Sequence, residues 1–162
     1  MGKIEIRRVG YLDPDAQVMV EAALDDLRVR YDDGEGDGTP VDPSDFEPPR
    51  GAFFVAYLDG EPVASGAWRT HGADGAAAEI KRMYTAPAAR GRGIARAVLA
   101  EVERSARDSG LQRAVLETGG RQPEAIRLYQ TSGYRRIANF GFYRDEPDVH
   151  SFGKELLAGS QD

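Results

Sequence analysis

The chain has 162 residues, the size of one ordinary globular domain. Hydrophobic residues make up 41% and charged residues 30%, a composition that excludes a disordered chain, and no apolar run approaches the length of a membrane span. The absence of cysteine excludes disulfides and a cysteine nucleophile, and two histidines are too few for a histidine-rich metal site. A net charge of −6 argues against general nucleic-acid binding, which relies on Lys and Arg facing phosphates. The charged N-terminus lacks the apolar core of a signal peptide, so we expect a cytoplasmic protein.

Hydrophobic periodicity predicts a mixed α/β order of elements. A helix is predicted after Asp13-Pro14, because an acidic N-cap and a proline in the first turn favour a helix start. A second helix is predicted after Gly91, where one apolar stripe runs as far as the terminating Gly110. Taken in chain order, strands are predicted at 4–9, 53–58, 62–69, 76–85, 114–116, 134–137 and 151–156, and helices at 15–31, 91–109 and 124–132. Trp68, Phe53 and Tyr57 lie on these strands and are predicted to belong to the core.

The segment from Asp32 to Pro49 is biased in composition and is predicted to be a mobile loop, because it contains four Pro and three Gly. Residues 32–50 contain seven acidic residues against one base. Residues 33–38 resemble the start of an EF-hand loop, but position twelve is Ser44 instead of Glu, so no metal site is predicted. The acidic side chains either form a solvated loop or line a cleft that attracts a cation.

A glycine-containing turn, Arg90-Gly91-Arg92-Gly93-Ile94-Ala95, joins a predicted strand to the long helix. Glycines allow close backbone approach to a ligand, and the free N–H groups at a helix start form an anion site. A Rossmann motif is excluded because Arg96 occupies the third glycine position, and the Gly-Lys-Ser/Thr of a Walker motif is absent. The alternatives at this point are a phosphate site of another class and a helix start with solvated arginines.

The pattern Arg/Gln-x-x-Gly-x-Gly/Ala, matched by Arg90, Gly93 and Ala95, resembles the acetyl-CoA loop of the GNAT superfamily of N-acetyltransferases. The resemblance covers residues 76–137 and includes the motifs at Glu79–Tyr84, Leu116–Thr118, Leu128-Tyr129 and Gly133-Tyr134. It implies a GNAT-like acyl-CoA N-acyltransferase fold, with a mostly antiparallel central sheet flanked by helices. We expect a single domain over residues 1–162, with 32–50 as a flexible acidic loop.

The resemblance also implies how acetyl-CoA is bound. Backbone amides of the glycine turn would hold the pyrophosphate, and the preceding strand would pair its backbone with the pantetheine amides. An N–H of Met83 or Tyr84 would stabilise the oxyanion of the reacting thioester. Gln122 fills a stretch where many members carry an asparagine that contacts CoA. The cofactor-binding residues so implied are Met83, Tyr84, Thr85, Arg90, Gly91, Arg92, Gly93, Ile94, Ala95 and Arg96.

Two residues carry the chemistry that the resemblance implies. Glu79 matches the general-base glutamate of the histone-modifying members, and a carboxyl with an ordinary pKa of about 4.3 needs burial to become an effective base. The alternatives are that Glu79 points outward, that it pairs with Lys81 or Arg82, or that a water chain accepts the proton instead. Tyr129 matches the tyrosine that faces the CoA sulfur, where it would hydrogen-bond the departing thiolate; the alternative is a core tyrosine.

The expected function is acetyl-CoA-dependent N-acetylation of a primary amine of a small molecule, because an acidic loop suits a cationic acceptor. Transfer is expected to be direct, because no cysteine can carry the acetyl group. The alternatives are a non-catalytic acetyl-CoA sensor or structural module and a protein or peptide N-acetyltransferase. We expect no nucleic-acid, membrane or metal partner, and edge-strand pairing is compatible with a homodimer. The aromatic stretch 139–143 either shapes the acceptor pocket, packs as a loop or contributes to a dimer.

Overall fold

The structure, a computed structural model, describes residues 2–32 and 36–157. The strands are β1 (Ile4–Val9), β2 (Gly51–Leu58), β3 (Glu61–His71), β4 (Ala77–Thr85), β5 (Arg113–Gly119), β6 (Arg135–Arg136) and β7 (Val149–Glu155). The helices are α1 (Pro14–Tyr31), α2 (Ile94–Asp108) and α3 (Pro123–Thr131), with short 3-10 helices at Pro43–Phe46 and Pro87–Ala89. This order confirms the predicted mixed α/β arrangement. Within the described ranges, no helix combines the length and apolarity that crossing a bilayer requires.

The strands form one sheet in the order β1-β2-β3-β4-β5-β7-β6. Every neighbouring pair is antiparallel except β4 and β5, which are parallel. The mostly antiparallel sheet expected from the sequence is therefore confirmed. A parallel neighbour requires a crossover connection, and α2 provides it between β4 and β5.

The sheet is covered by helices on both faces, and each face has its own apolar cluster. Alternation along β2 sends Phe53 and Val55 into the cluster with α1, and Phe54 into the cluster with α2. Trp68 is 1% exposed and donates its indole N–H to the hydroxyl of Ser105 on α2 at 2.9 Å. The predicted core positions of Trp68, Phe53 and Tyr57 are confirmed by their burial.

The parallel pair β4 and β5 separates soon after it begins. The two strands pair only from Ala77 to Glu79, although β4 continues to Thr85. On its other edge β4 contains a bulge opposite Gly66, and Arg82 adopts a φ of 60° there. A Cβ on Gly66 would lie 2.5 Å from the sulfur of Met83 and 2.7 Å from a methyl group of the buried Val98, so a larger residue would force these side chains to shift. A gap therefore opens in the middle of the sheet.

The described part of the acidic segment is packed against the domain, which differs from the solvated loop expected. Phe46 is 2% exposed and stacks on Tyr11 with a ring-centroid distance of 5.1 Å. The carboxylate of Asp37 forms ion pairs with Lys81 and Arg82 of β4. The segment packs despite its polar composition because an aromatic ring is buried and its buried charges are paired. Its residues 33–35 lie outside the described part of the chain.

Candidate active site

A cavity of about 1090 Å³ occupies the gap between β4 and β5. Ile80 belongs to the cluster on the α2 face of the sheet, so alternation places Lys81 on the α1 face. Both residues line the cavity, as do Tyr129 of α3 and the C-terminal half of α1. The cavity therefore connects the two faces of the sheet, and a ligand on one face can reach a ligand on the other.

The glycine turn forms one wall of the cavity. Gly91 and Gly93 have φ values of 80° and 79°, in the left-handed region that favours glycine, and a Cβ on either would meet nothing within 4 Å. The first intrahelical hydrogen bond of α2 runs from the N–H of Ala97 to the carbonyl of Gly93, at 3.1 Å. The N–H groups before Ala97 are consequently unused by the helix, and the positive end of its dipole lies behind them. This is the geometry of an anion site.

The three predicted arginines of the turn have different surroundings. Arg90 lines the cavity, donates from Nε to the carbonyl of Thr85 at 2.9 Å and lies over the ring of Tyr84. Arg96 also lines the cavity, but its guanidinium bonds to Thr131 of α3 at 2.9 Å and so links the two helices. Arg92 is exposed and is not among the described residues that line the cavity. Gly91, Gly93, Ile94 and Ala95 all line it.

The second half of β4 presents an unpaired edge to the cavity. Met83, Tyr84 and Thr85 all line it, and β5 offers them no backbone partner because strand pairing ends at Glu79. Their N–H and C=O groups can pair with the amides of an extended ligand, as an added strand would. The structure thus places all three predicted strand residues together at one site.

Tyr129 lies on α3 with its ring buried and lines the same cavity. It packs edge-on against Tyr134 at a ring-centroid distance of 5.5 Å. Burial raises the pKa of the Tyr129 hydroxyl, so the group stays protonated and can donate a hydrogen bond. Its hydroxyl has no hydrogen-bond partner within residues 2–32 and 36–157, and is therefore available to a ligand.

Glu79 is buried on β4 and is held by a neighbouring arginine. Its side chain is 5% exposed, and Oε1 accepts a hydrogen bond from Nε of Arg69 at 3.1 Å. Nδ1 of His71 lies 3.9 Å from the same oxygen. Glu79 is not among the described residues that line the cavity. Its carboxylate thus faces the β3 side of the sheet, and it pairs with Arg69 instead of the Lys81 or Arg82 considered above.

A second carboxylate, Glu117 of β5, lines the cavity and was not singled out by the sequence. Its carboxylate accepts a hydrogen bond from the N–H of Tyr143 at 3.1 Å. Burial is the largest influence and raises the pKa of this carboxyl; the N–H of Tyr143 opposes it, Glu79 adds to it, and Lys81 and the N–H of Gly141 oppose it more weakly. Val115 is opposite Glu79, so strand alternation places Glu117 on the same face as Glu79, but this register is not visible in the local sequence.

An ion cluster formed by Asp37, Lys81, Arg82 and Tyr143 borders the cavity on the α1 face. Lys81 Nζ and Arg82 lie 3.0 and 2.9 Å from Asp37 Oδ2, and the Tyr143 hydroxyl donates to Oδ1 at 3.0 Å. Burial opposes the charged form of Asp37, but Lys81, hydrogen bonds from Thr39 and Arg82 together hold its pKa well below the usual range. Burial, followed by the charge of Asp37, raises the pKa of Tyr143 to about 12.

Gln122 lies at the N-cap of α3 and lines the cavity. Its side-chain amide donates a hydrogen bond to the hydroxyl of Tyr31 at 3.3 Å. The guanidinium of Arg121 lies over the Tyr31 ring. The amide is therefore at the cavity wall but already has a partner on α1.

Comparison with known proteins identifies the family. The sequence matches the acetyltransferase (GNAT) family over residues 18–134 of the 162. It is 39% identical over 95 residues to an IAA acetyltransferase of Azospirillum brasilense, a match that covers 59% of this chain and only 61% of that relative.

Solved structures agree with this assignment. A Klebsiella pneumoniae protein assigned to the acyl-CoA N-acyltransferases superposes with a TM-score of 0.76 at 27% identity, over 94% of this chain and 97% of that one. The PaiA N-acetyltransferase of Thermoplasma acidophilum, solved in complex with coenzyme A, shares the fold with a TM-score of 0.69 at 15% identity, over 94% and 99% of the two chains. Because the family match extends over more than two thirds of the sequence and includes the glycine turn, the chain belongs to the GNAT family of acetyltransferases.

Proposed function

We propose that the protein is an acetyl-CoA-dependent N-acetyltransferase that transfers the acetyl group directly to a primary amine of a small molecule. The observation that carries the proposal is the separation of β4 from β5 directly beside the glycine turn of α2. It combines an unpaired strand edge, an anion site and a passage to the opposite face in one cavity.

The chain fits an extended thioester that ends in phosphates. The free amides at the start of α2, with Arg90 beside them, suit the pyrophosphate. The edge at Met83–Thr85 suits the pantetheine amides, and an N–H of Met83 or Tyr84 on that edge suits the oxyanion. The acetyl thioester supplies the activated carbonyl carbon. Tyr129 is placed to donate a hydrogen bond to the departing thiolate, because its hydroxyl has no other described partner.

The lack of cysteine among the 162 residues supports direct transfer, because no thiol could carry the acetyl group. The contacts that border the cavity on the α1 face support a small acceptor. Tyr143 bridges the acidic segment to the segment before β7, because its hydroxyl both accepts from the N–H of Gly38 at 2.6 Å and donates to Asp37. A polypeptide acceptor would need an open groove where this bridge stands. The homodimer and the cytoplasmic location stay predictions.

The test is calorimetry with acetyl-CoA, followed by detection of released CoA thiol across a panel of polyamines, amino acids, amine antibiotics and lysine peptides. We expect acetyl-CoA to bind and CoA to be released with small amines. Absence of acetyl-CoA binding would refute the proposal. Binding without turnover of any acceptor would favour the non-catalytic sensor, and turnover confined to peptides would favour a protein acetyltransferase.

A further inference from the structure

We propose that Glu117 of β5, and not Glu79 of β4, binds the acceptor ammonium group and accepts the proton that the amine must lose. This inference rests on the proposed acetyltransferase function and assigns one of its catalytic residues. The two carboxylates differ in their position, their partners and the charges around them.

Position separates the two carboxylates. Strand pairing between β4 and β5 ends at Glu79 and Val115, and Glu117 lies two residues beyond that last pair on the same face. Two residues of extended strand advance about 6.6 Å, so Glu117 lies at the opening of the gap. It lines the cavity that Tyr129 lines from the other face. An amine on the α1 face beside Glu117 therefore faces the thioester through the gap.

The partners of the two carboxylates also differ. Glu79 accepts from Arg69 at 3.1 Å, and the same guanidinium bonds to Asp45 at 2.9 Å. The carboxylate of Glu79 is thus already held by a guanidinium that belongs to a larger ion-pair network. Glu117 accepts the backbone N–H of Tyr143, and none of the ion pairs within the described ranges includes it. Its carboxylate can thus take an ammonium group from the acceptor as its charged partner.

The charges facing Glu117 come from each element packed against it. From β4, Glu79 is a like charge and Lys81 an opposite one, but Lys81 is committed to Asp37 at 3.0 Å. From the segment before β7, Tyr143 offers its N–H. From β7, Ser151 is directly opposite in register and contributes a buried hydroxyl that has no hydrogen-bond partner in the described structure. Burial dominates this environment and raises the pKa of Glu117, which improves a carboxylate as a base near neutral pH.

The carboxylate of Glu117 takes one proton from the ammonium, and the freed lone pair of nitrogen forms the C–N bond at the acetyl carbonyl carbon. The C–S bond then breaks with its electron pair on sulfur, where Tyr129 donates a hydrogen bond. The second N–H proton passes to the thiolate to give CoA thiol, and the proton on Glu117 is released to solvent.

The experiment compares Glu117→Gln with Glu79→Gln in the full chain, with Glu61→Gln as an exposed-carboxylate control. We measure kcat/KM against pH with the best amine of the panel, together with acetyl-CoA affinity and Tm. Glu117→Gln should lower kcat/KM at neutral pH about 100-fold or more, remove the acidic limb of the profile and leave acetyl-CoA affinity within about twofold. The parent's acidic limb should lie above the ordinary carboxyl pKa of 4.5, with the rate rising as pH increases. Glu79→Gln should lower Tm and keep the acidic limb.

A second acceptor amine, one that is already unprotonated at neutral pH, distinguishes a role of Glu117 in proton transfer from a structural role. The Glu117→Gln defect should shrink with such an amine if the carboxylate serves to remove a proton. An equal defect with both acceptors, or a preserved acidic limb, overturns the inference, as does loss of that limb in Glu79→Gln. If the unmodified protein binds acetyl-CoA but acetylates no amine, the proposed function itself fails, which is a different result from these.

Discussion

Replacing Asp37 by asparagine removes the negative charge from a buried ion cluster while keeping the size of the side chain. Lys81 and Arg82 both pair with this carboxylate, and their side chains are 9% and 5% exposed. The variant leaves two buried cations without their counter-ion. Breaking a buried pair by removing one partner costs about 3–5 kcal/mol of unfolding free energy. For a chain of this length that corresponds to a fall in Tm of about 6–20 °C.

The assay is urea denaturation followed by circular dichroism, with Asp145→Asn as the matched control because Asp145 is exposed and has no described ion pair. The pH dependence follows from the depressed pKa of Asp37. The charged form is stabilised in the folded state, so its contribution is complete well above the ordinary value of 3.8 and is lost as pH falls below it. The difference between parent and variant should therefore shrink in acid.

A variant that loses less than about 1 kcal/mol at neutral pH would refute the account, because that is the range of an exposed pair. A loss that does not diminish in acid would also contradict it, since the effect would then come from packing and not from charge.

Three further predictions concern single atoms or single dihedral angles. Tyr129→Phe should lower kcat by about 10- to 100-fold in steady-state assays and leave the calorimetric acetyl-CoA affinity unchanged, because it removes one hydrogen bond to a thiolate; equal kcat would remove the hydroxyl from the mechanism. Gly93→Ala should weaken acetyl-CoA binding about tenfold, because an alanine at this positive φ introduces about 1–2 kcal/mol of strain. Gly60→Ala introduces the same kind of strain at a distant hairpin and should leave acetyl-CoA binding unchanged. Ser105→Ala should lower the unfolding free energy by about 1–3 kcal/mol in urea titrations, because the buried indole N–H of Trp68 loses its acceptor; a neutral result would contradict that contact.

Local sequence accounts for much of the fold. The apolar stripe of α2, the dense apolar run of β2 and the hairpin at Asp59-Gly60 depend on residues close in sequence, and each element was predicted within a few positions. The glycine turn was predicted too, because positive φ and a free helix start are local properties. The predicted helix began at Gly91 whereas α2 begins at Ile94, since the two glycines form the turn itself.

The residues around the candidate site were harder to predict from the sequence. Asp37 lies in a segment of acids, prolines and glycines that has no hydrophobic period, and its burial depends on Lys81 and Arg82, more than 40 positions away. Glu117 lines the cavity because the pairing of β4 and β5 ends before it. No local sequence pattern shows where that pairing ends. The partner of Glu79 is Arg69, on a different strand from the Lys81 and Arg82 considered at first.

By itself, the sequence determined the order of strands and helices and the family to which they belong, and it predicted an anion site at the glycine turn, because periodicity, glycine conformation and helix termini act over a few residues. Only the tertiary structure decided that β4 and β5 separate, that Asp37 pairs with Arg82 beside the cavity, and that Glu117 lines the cavity while Glu79 pairs with Arg69. Those outcomes depend on strand register and on charges brought together from distant positions, and such contacts exist only once the sheet has formed.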